Sequence, residues 1–186
     1  MAGRTPAEAV GAFLVPLQKA LACVTPTVLN VSGGYYVADR PHALTLGDGD
    51  PVPHSGAHEL ALSLAQNYRV MEFEGPRGPW KVQTTSYFYE LRRGEKELLV
   101  YHWHPRGASP HTNPHLHLGP GAELGFELLQ GAHVPTGRIA LEELLRLAIT
   151  ELSVRPRRED WAEVLADTQA GYEAWRTWPA PRSGDG

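Results

Sequence analysis

Apolar residues along this chain change period twice. Between Thr5 and Leu21 they recur at helical spacing, with Val10, Phe13, Leu14, Leu17 and Leu21 forming one stripe behind a Thr5-Pro6-Ala7-Glu8 capping box. This predicts an N-terminal helix that Pro16 kinks or splits and that Thr25-Pro26 ends. From Tyr68 to Leu118 the period falls to two. Met71 and Phe73 alternate with Glu72 and Glu74, Trp80 to Leu91 is rich in aromatic and β-branched residues, and Gly94-Glu95 offers a tight turn. That turn predicts Tyr87 opposite His102 and Val100 opposite Tyr89 on the next strand. From Leu141 the helical period returns, with Leu141, Leu144, Leu145, Ala148, Ile149 and Leu152 on one face. Glu142 and Arg146 are expected as an exposed i, i+4 pair on that helix. A further helix follows Pro156, carries Trp161, Val164, Leu165, Thr168, Tyr172 and Trp175 on one face, and is expected to end near Trp178-Pro179.

The stretch from Val31 to Pro53 is less regular, with strand-like pieces near Tyr35–Val37 and Ala43–Leu46 among Gly, Pro and Asp. Ser55 to Asn67, with Leu60, Leu62, Leu64 and Ala65, reads as a short helix. The whole predicts an α+β fold: an antiparallel sheet of about four or more strands with an N-terminal helix and two C-terminal helices. Residues 1–178 form one domain in this reading, and 179–186 a flexible tail.

Composition narrows the chemistry. The chain has 186 residues and a net charge of −4, which gives no global attraction to nucleic acid or anionic lipid; RNA as a partner would need a local site. Its single cysteine, Cys23, permits neither an intrachain disulfide nor a thiolate zinc site within one chain. No run approaches the ~20 apolar residues that cross a bilayer, and no signal-peptide pattern opens the sequence, so a soluble cytoplasmic protein with no membrane partner is expected.

Histidines supply the strongest functional signal. His102 and His104 alternate in Tyr101-His102-Trp103-His104, and His115 and His117 alternate in Pro114-His115-Leu116-His117-Leu118. Alternation in a strand places each pair on one face, and simple pairing across the intervening loop sets His104 opposite His115 and His102 opposite His117. Opposed Cβ atoms lie about 4.5–5.5 Å apart, close enough to share a divalent transition metal such as Zn, or a proton. The same residues could serve as general acids and bases, with Tyr87 beside them, because imidazole titrates near neutrality. A wet sheet face with no chemistry is the remaining reading.

A second candidate precedes the Leu141 helix. His133, Thr136 and Arg138, around Gly137, could bind an anion with the helix N-terminus, and Arg106 could assist from the loop between the histidine pairs. His54, His58 and Glu59 are turn or surface residues that could add ligands, and Arg155, Arg157 and Arg158 read as a solvated linker. Gly107, His115, His117, Glu123 and Gly131 follow a cupin metal motif only loosely, and a helix stands where its second histidine strand belongs.

The order of a Tyr101-His102-Trp103-His104-Pro105 strand, a Pro114-His115-Leu116-His117-Leu118-Gly119 strand and a closing helix resembles TumE-like proteins of bacterial toxin–antitoxin modules. The resemblance covers roughly Thr84 to Leu152 and rests on Tyr101, His102, Trp103, His115 and His117. The chain departs from that pattern in its long region from Met1 to Asn67 and in the extra helix from Glu159. The resemblance implies a toxin-like protein. From the residues come two expectations: a hydrolase acting on a phosphodiester, and a non-catalytic regulatory protein whose histidine face meets a protein partner or a second copy of the chain.

Overall fold

The computed structural model describes residues 2–75, 78–105, 111–125, 129 and 132–175. Thr5 caps the first helix as its sequence requires, its hydroxyl accepting from the Glu8 N–H at 3.1 Å, and α1 runs from Pro6 to Leu21 with Pro16 inside it rather than splitting there. Among the described residues nine strands follow one antiparallel sheet: β1 (Ala2–Gly3), β2 (Leu29–Val31), β3 (Pro41–Leu46), β4 (Val52–Pro53), β5 (Leu60–Glu72), β6 (Trp80–Arg93), β7 (Lys96–Trp103), β8 (His115–Leu118) and β9 (Val134–Pro135). The main path is β2-β3-β5-β6-β7-β8-β9, with β1 on β6 and β4 on β5. Helices α2 (Leu141–Thr150) and α3 (Trp161–Glu173) complete the α+β architecture. The expected end of the last helix and the tail lie outside the described residues.

The segment expected as a helix, Ser55 to Asn67, instead feeds the long central strand β5. Leu60, Leu62, Leu64 and Gln66 are buried, whereas Ala61 and Ala65 are only partly covered and Asn67 is exposed. Leu and Ala favour helices, but β5 has partners on both edges, β3 and β4 on one side and β6 on the other, and pairing with burial overrides that preference.

The α-helices pack on one face of the sheet. Phe13 of α1 meets Tyr68 of β5, with ring centroids 5.3 Å apart, and the core continues through Tyr87, Tyr89 and Leu91 of β6 and Leu99 and Trp103 of β7 to Leu141, Leu144 and Leu145 of α2. Glu142 is part of this packing and not an exposed partner of Arg146. It is 2 % exposed, and Arg146 donates to Gln169 on α3 instead. Burial raises the Glu142 carboxyl above its ordinary range.

The β6–β7 hairpin turns where expected, with Gly94 at φ +54 and Arg93 paired with Lys96. A bulge then intervenes. Pairing slips between Leu91 and Arg92, leaving Leu98 as the extra residue, so that Phe88 and not Tyr87 faces His102. Because side chains alternate, this one-residue shift puts Tyr87 on the helix side, opposite Trp103.

Candidate metal centre

The inner face consumes Tyr87, Tyr89, Leu99 and Trp103, and the outer face receives Phe88, Glu90, Val100 and His102. Across the next ladder His102 pairs with His115 and Val100 with His117. The expected register differs by two residues, which moves the opposing partners but leaves both histidine pairs on the same face. Three hydrogen bonds to backbone carbonyls seat the short strand β8. The Trp103 indole donates to the Thr112 carbonyl, the Thr136 N–H to the Pro114 carbonyl, and the Gly119 N–H to the Leu98 carbonyl, at 3.1, 3.0 and 3.0 Å.

The four expected imidazoles converge. The rings of His102 and His115 have centroids 4.1 Å apart, His102 and His117 4.6 Å, His102 and His104 4.9 Å, and His115 and His117 5.0 Å. Strand β9 then brings a fifth: its pairing with β8 holds His133, the residue before it, 4.2 Å from His117 and 4.9 Å from His115. A sixth, His111, stacks on His133 at 3.7 Å. Six of the chain's nine histidines thus share one patch.

His115 is the centre of this patch. It is 3 % exposed, and its Nδ1 lies 2.7 Å from the Asn113 carbonyl, which fixes the ring with Nδ1–H as donor. The opposite nitrogen, Nε2, is buried with no hydrogen-bond partner. A backbone carbonyl on one nitrogen and a free lone pair on the other is how proteins orient a metal-ligating imidazole. Two sets of three rings place one ligand atom each within 4.8 Å of one another: His102, His104 and His115, and His115, His117 and His133. A tetrahedral zinc with Zn–N of about 2.0–2.1 Å needs nitrogens about 3.3 Å apart, so a triad would close in around the ion.

Electrostatics favour the neutral form of two of these rings. Desolvation, joined by the neighbouring imidazoles, pushes His102 down to about 4, so near pH 7 it offers a lone pair rather than a charge. His133 is lowered by the same two causes. A divalent cation can replace the protons that this crowding expels.

The other expected site residues are dispersed. Tyr87 lies in the core, its hydroxyl accepting weakly from the Ile139 N–H at 3.4 Å, and burial raises it to about 12, which removes it from the histidine patch as an acid–base partner. Arg138 is also on the helix side, its guanidinium 4.1 Å over the Trp103 ring and Nη2 3.4 Å from the Thr84 carbonyl, beside a cavity lined by Phe13, Leu17, Val82 and Tyr172. The expected anion site at α2 is not assembled. The Glu143 carboxylate takes the Ala140 N–H at 2.6 Å, and two acidic residues occupy the first turn, so the helix end already has its anion. Thr136 does not cap α2, and of that motif only His133 reaches the histidines. Arg106 lies outside the described residues. His54 and His42 are buried elsewhere, His42 with Nε2 2.7 Å from the Val37 carbonyl.

Sequence reasoning missed His111, and it placed His133 with Arg138 instead of with the histidine strands. The signal for both was weak: each lies outside an alternating pair, and only the β8–β9 pairing carries His133 to the patch. No protein-family model, no curated protein and no solved structure matches this chain. No helix of the described residues is long and apolar enough to cross a membrane.

Proposed function

We propose that the outer face of β7 and β8 is a transition-metal centre with hydrolytic chemistry, and that His102, His104, His115, His117 and His133 are its ligand pool. The observation that carries this reading is His115: a buried imidazole oriented through Nδ1 by a carbonyl, with an unpartnered Nε2 among four other rings. A bound zinc supplies a Lewis acid and a water acidic enough to act as a nucleophile near neutral pH. Three-histidine ligation leaves coordination positions open, and the exposure of His133 gives solvent and substrate access. Desolvation and the neighbouring imidazoles hold His102 neutral at pH 7, which suits it to a ligand's role better than to a proton donor's. The first substrate class to test is a phosphodiester, including RNA.

The test is elemental analysis of the purified protein, followed by hydrolysis of bis(p-nitrophenyl) phosphate and single-stranded RNA with and without added zinc. We expect near-stoichiometric metal and an activity that His102→Ala with His117→Ala abolishes. A protein that takes up no transition metal and hydrolyses neither substrate refutes the proposal.

A specific observation supports a second reading as a protein-binding surface. Phe88 is 37 % exposed directly opposite His102, and Val134 is exposed beside His133, so the histidine face also carries apolar contact area. A co-purifying partner or a homo-oligomer that holds no metal would favour that reading.

A further inference from the structure

We infer that the histidine cluster holds one metal ion rather than two, and that its two overlapping triads are an outer loading position and an inner holding position that pivot on His115. The inference rests on the metal-binding reading above and concerns how the cluster would be filled.

Both triads require His115. Its Nδ1 is committed to the Asn113 carbonyl, so a single lone pair, on Nε2, is available, and one lone pair binds one ion. A bridging imidazolate would need both nitrogens and would break that hydrogen bond. The two triads therefore cannot be complete together. A second contact divides the remaining rings. The Nε2 atoms of His102 and His117 are 2.6 Å apart, a hydrogen bond in which one Nε2 carries the proton and the other accepts it, so the two do not both offer a lone pair while it holds, and the two residues fall in different triads.

The triads also differ in depth. His133 is exposed, whereas His102, His104 and His117 are all half-buried. His111, itself exposed, stacks on His133 and belongs to neither triad, which extends the imidazole surface toward solvent. An ion from solution meets His133 first. It reaches His102 and His104 by exchanging two ligands while His115 is kept, so no step strips the ion of all protein ligands.

Calorimetric titration with Zn²⁺, and Co²⁺ loading followed by its visible absorption in a stopped-flow instrument, test this on the full chain. The wild type is expected to saturate at one ion. His133→Ala should keep that stoichiometry and the final cobalt spectrum while slowing loading about tenfold; His104→Ala should weaken affinity by about 10–100-fold and change the spectrum. His115→Gln should lose more affinity than either. Saturation at two ions, or a His133→Ala protein whose final spectrum differs from wild type, overturns this inference and leaves the metal reading standing. A wild type that binds neither ion overturns both. His133 is exposed and His104 lies outside the core, so folding of these two variants, checked by circular dichroism, is not at stake.

Discussion

The Nε2 atoms of His102 and His117 meet at 2.6 Å although the two residues are not cross-strand partners; His102 faces His115, and His117 faces Val100. The contact is diagonal across the β7–β8 ladder, where long side chains still reach one another. It brings two titratable rings together on a face whose crowding already disfavours protonation.

The pH dependence of stability follows from desolvation together with that crowding. His102 is held at about 4 in the folded chain against an ordinary 6.5, so the unfolded state binds the proton more readily. Metal-free protein should be most stable above about pH 6.5 and lose stability as pH falls toward 4. His102→Gln should flatten that slope in urea titrations at pH 7, 6 and 5. His54, lowered by burial at a separate position, keeps its own share of the slope in the variant. An identical slope with and without His102 would contradict the assignment.

Zinc should stabilise the fold by mass action. At a free concentration about 100-fold above Kd the gain is about 2.7 kcal/mol, which for a domain of this size raises Tm by roughly 5–11 °C. Thermal unfolding with zinc, and again after chelation, measures it. His115→Gln should abolish the shift.

Tyr87→Phe separates the two faces of the sheet. The hydroxyl contacts only the inner side, so its loss should cost about 0.5–1.5 kcal/mol of stability at most and leave zinc affinity unchanged. A tenfold change in affinity would mean that the bulge does not set the face as described.

Gly119 is where the end of β8 touches β7 backbone. A Cβ there would stand 2.3 Å from the Glu97 carbonyl oxygen, and backbone cannot yield as a side chain can. Gly119→Ala should therefore destabilise by about 1–3 kcal/mol and weaken zinc binding as well, because β8 carries His115 and His117. Denaturant midpoint and calorimetric affinity are the paired readouts.

The sequence made the N-terminal helix, the helix from Leu141, the Gly94 turn and the convergence of four histidines legible, since each depends on local capping or strict periodicity. What it hid depends on non-local pairing. The helix-forming Leu and Ala of β5 become strand because two neighbours claim both of its edges. Leu98 carries no mark of a bulge, yet it decides which face Tyr87 shares. The two-residue shift at β7–β8 was harmless to the site because an even displacement preserves the face. Glu142 looked solvent-facing by helical phase alone, but it is buried, lining a cavity with Thr168 and Tyr172 of α3.

Alternation along β7 also makes the site separable from the scaffold. Leu99 and Trp103 belong to the core that holds the helices, and the intervening His102 does not. A chain stripped of His102, His104, His111, His117 and His133 together should still fold, giving a matched blank for every binding or activity assay. The same independence would let the ligand set drift toward a different metal, residue by residue, without passing through an unfolded ancestor.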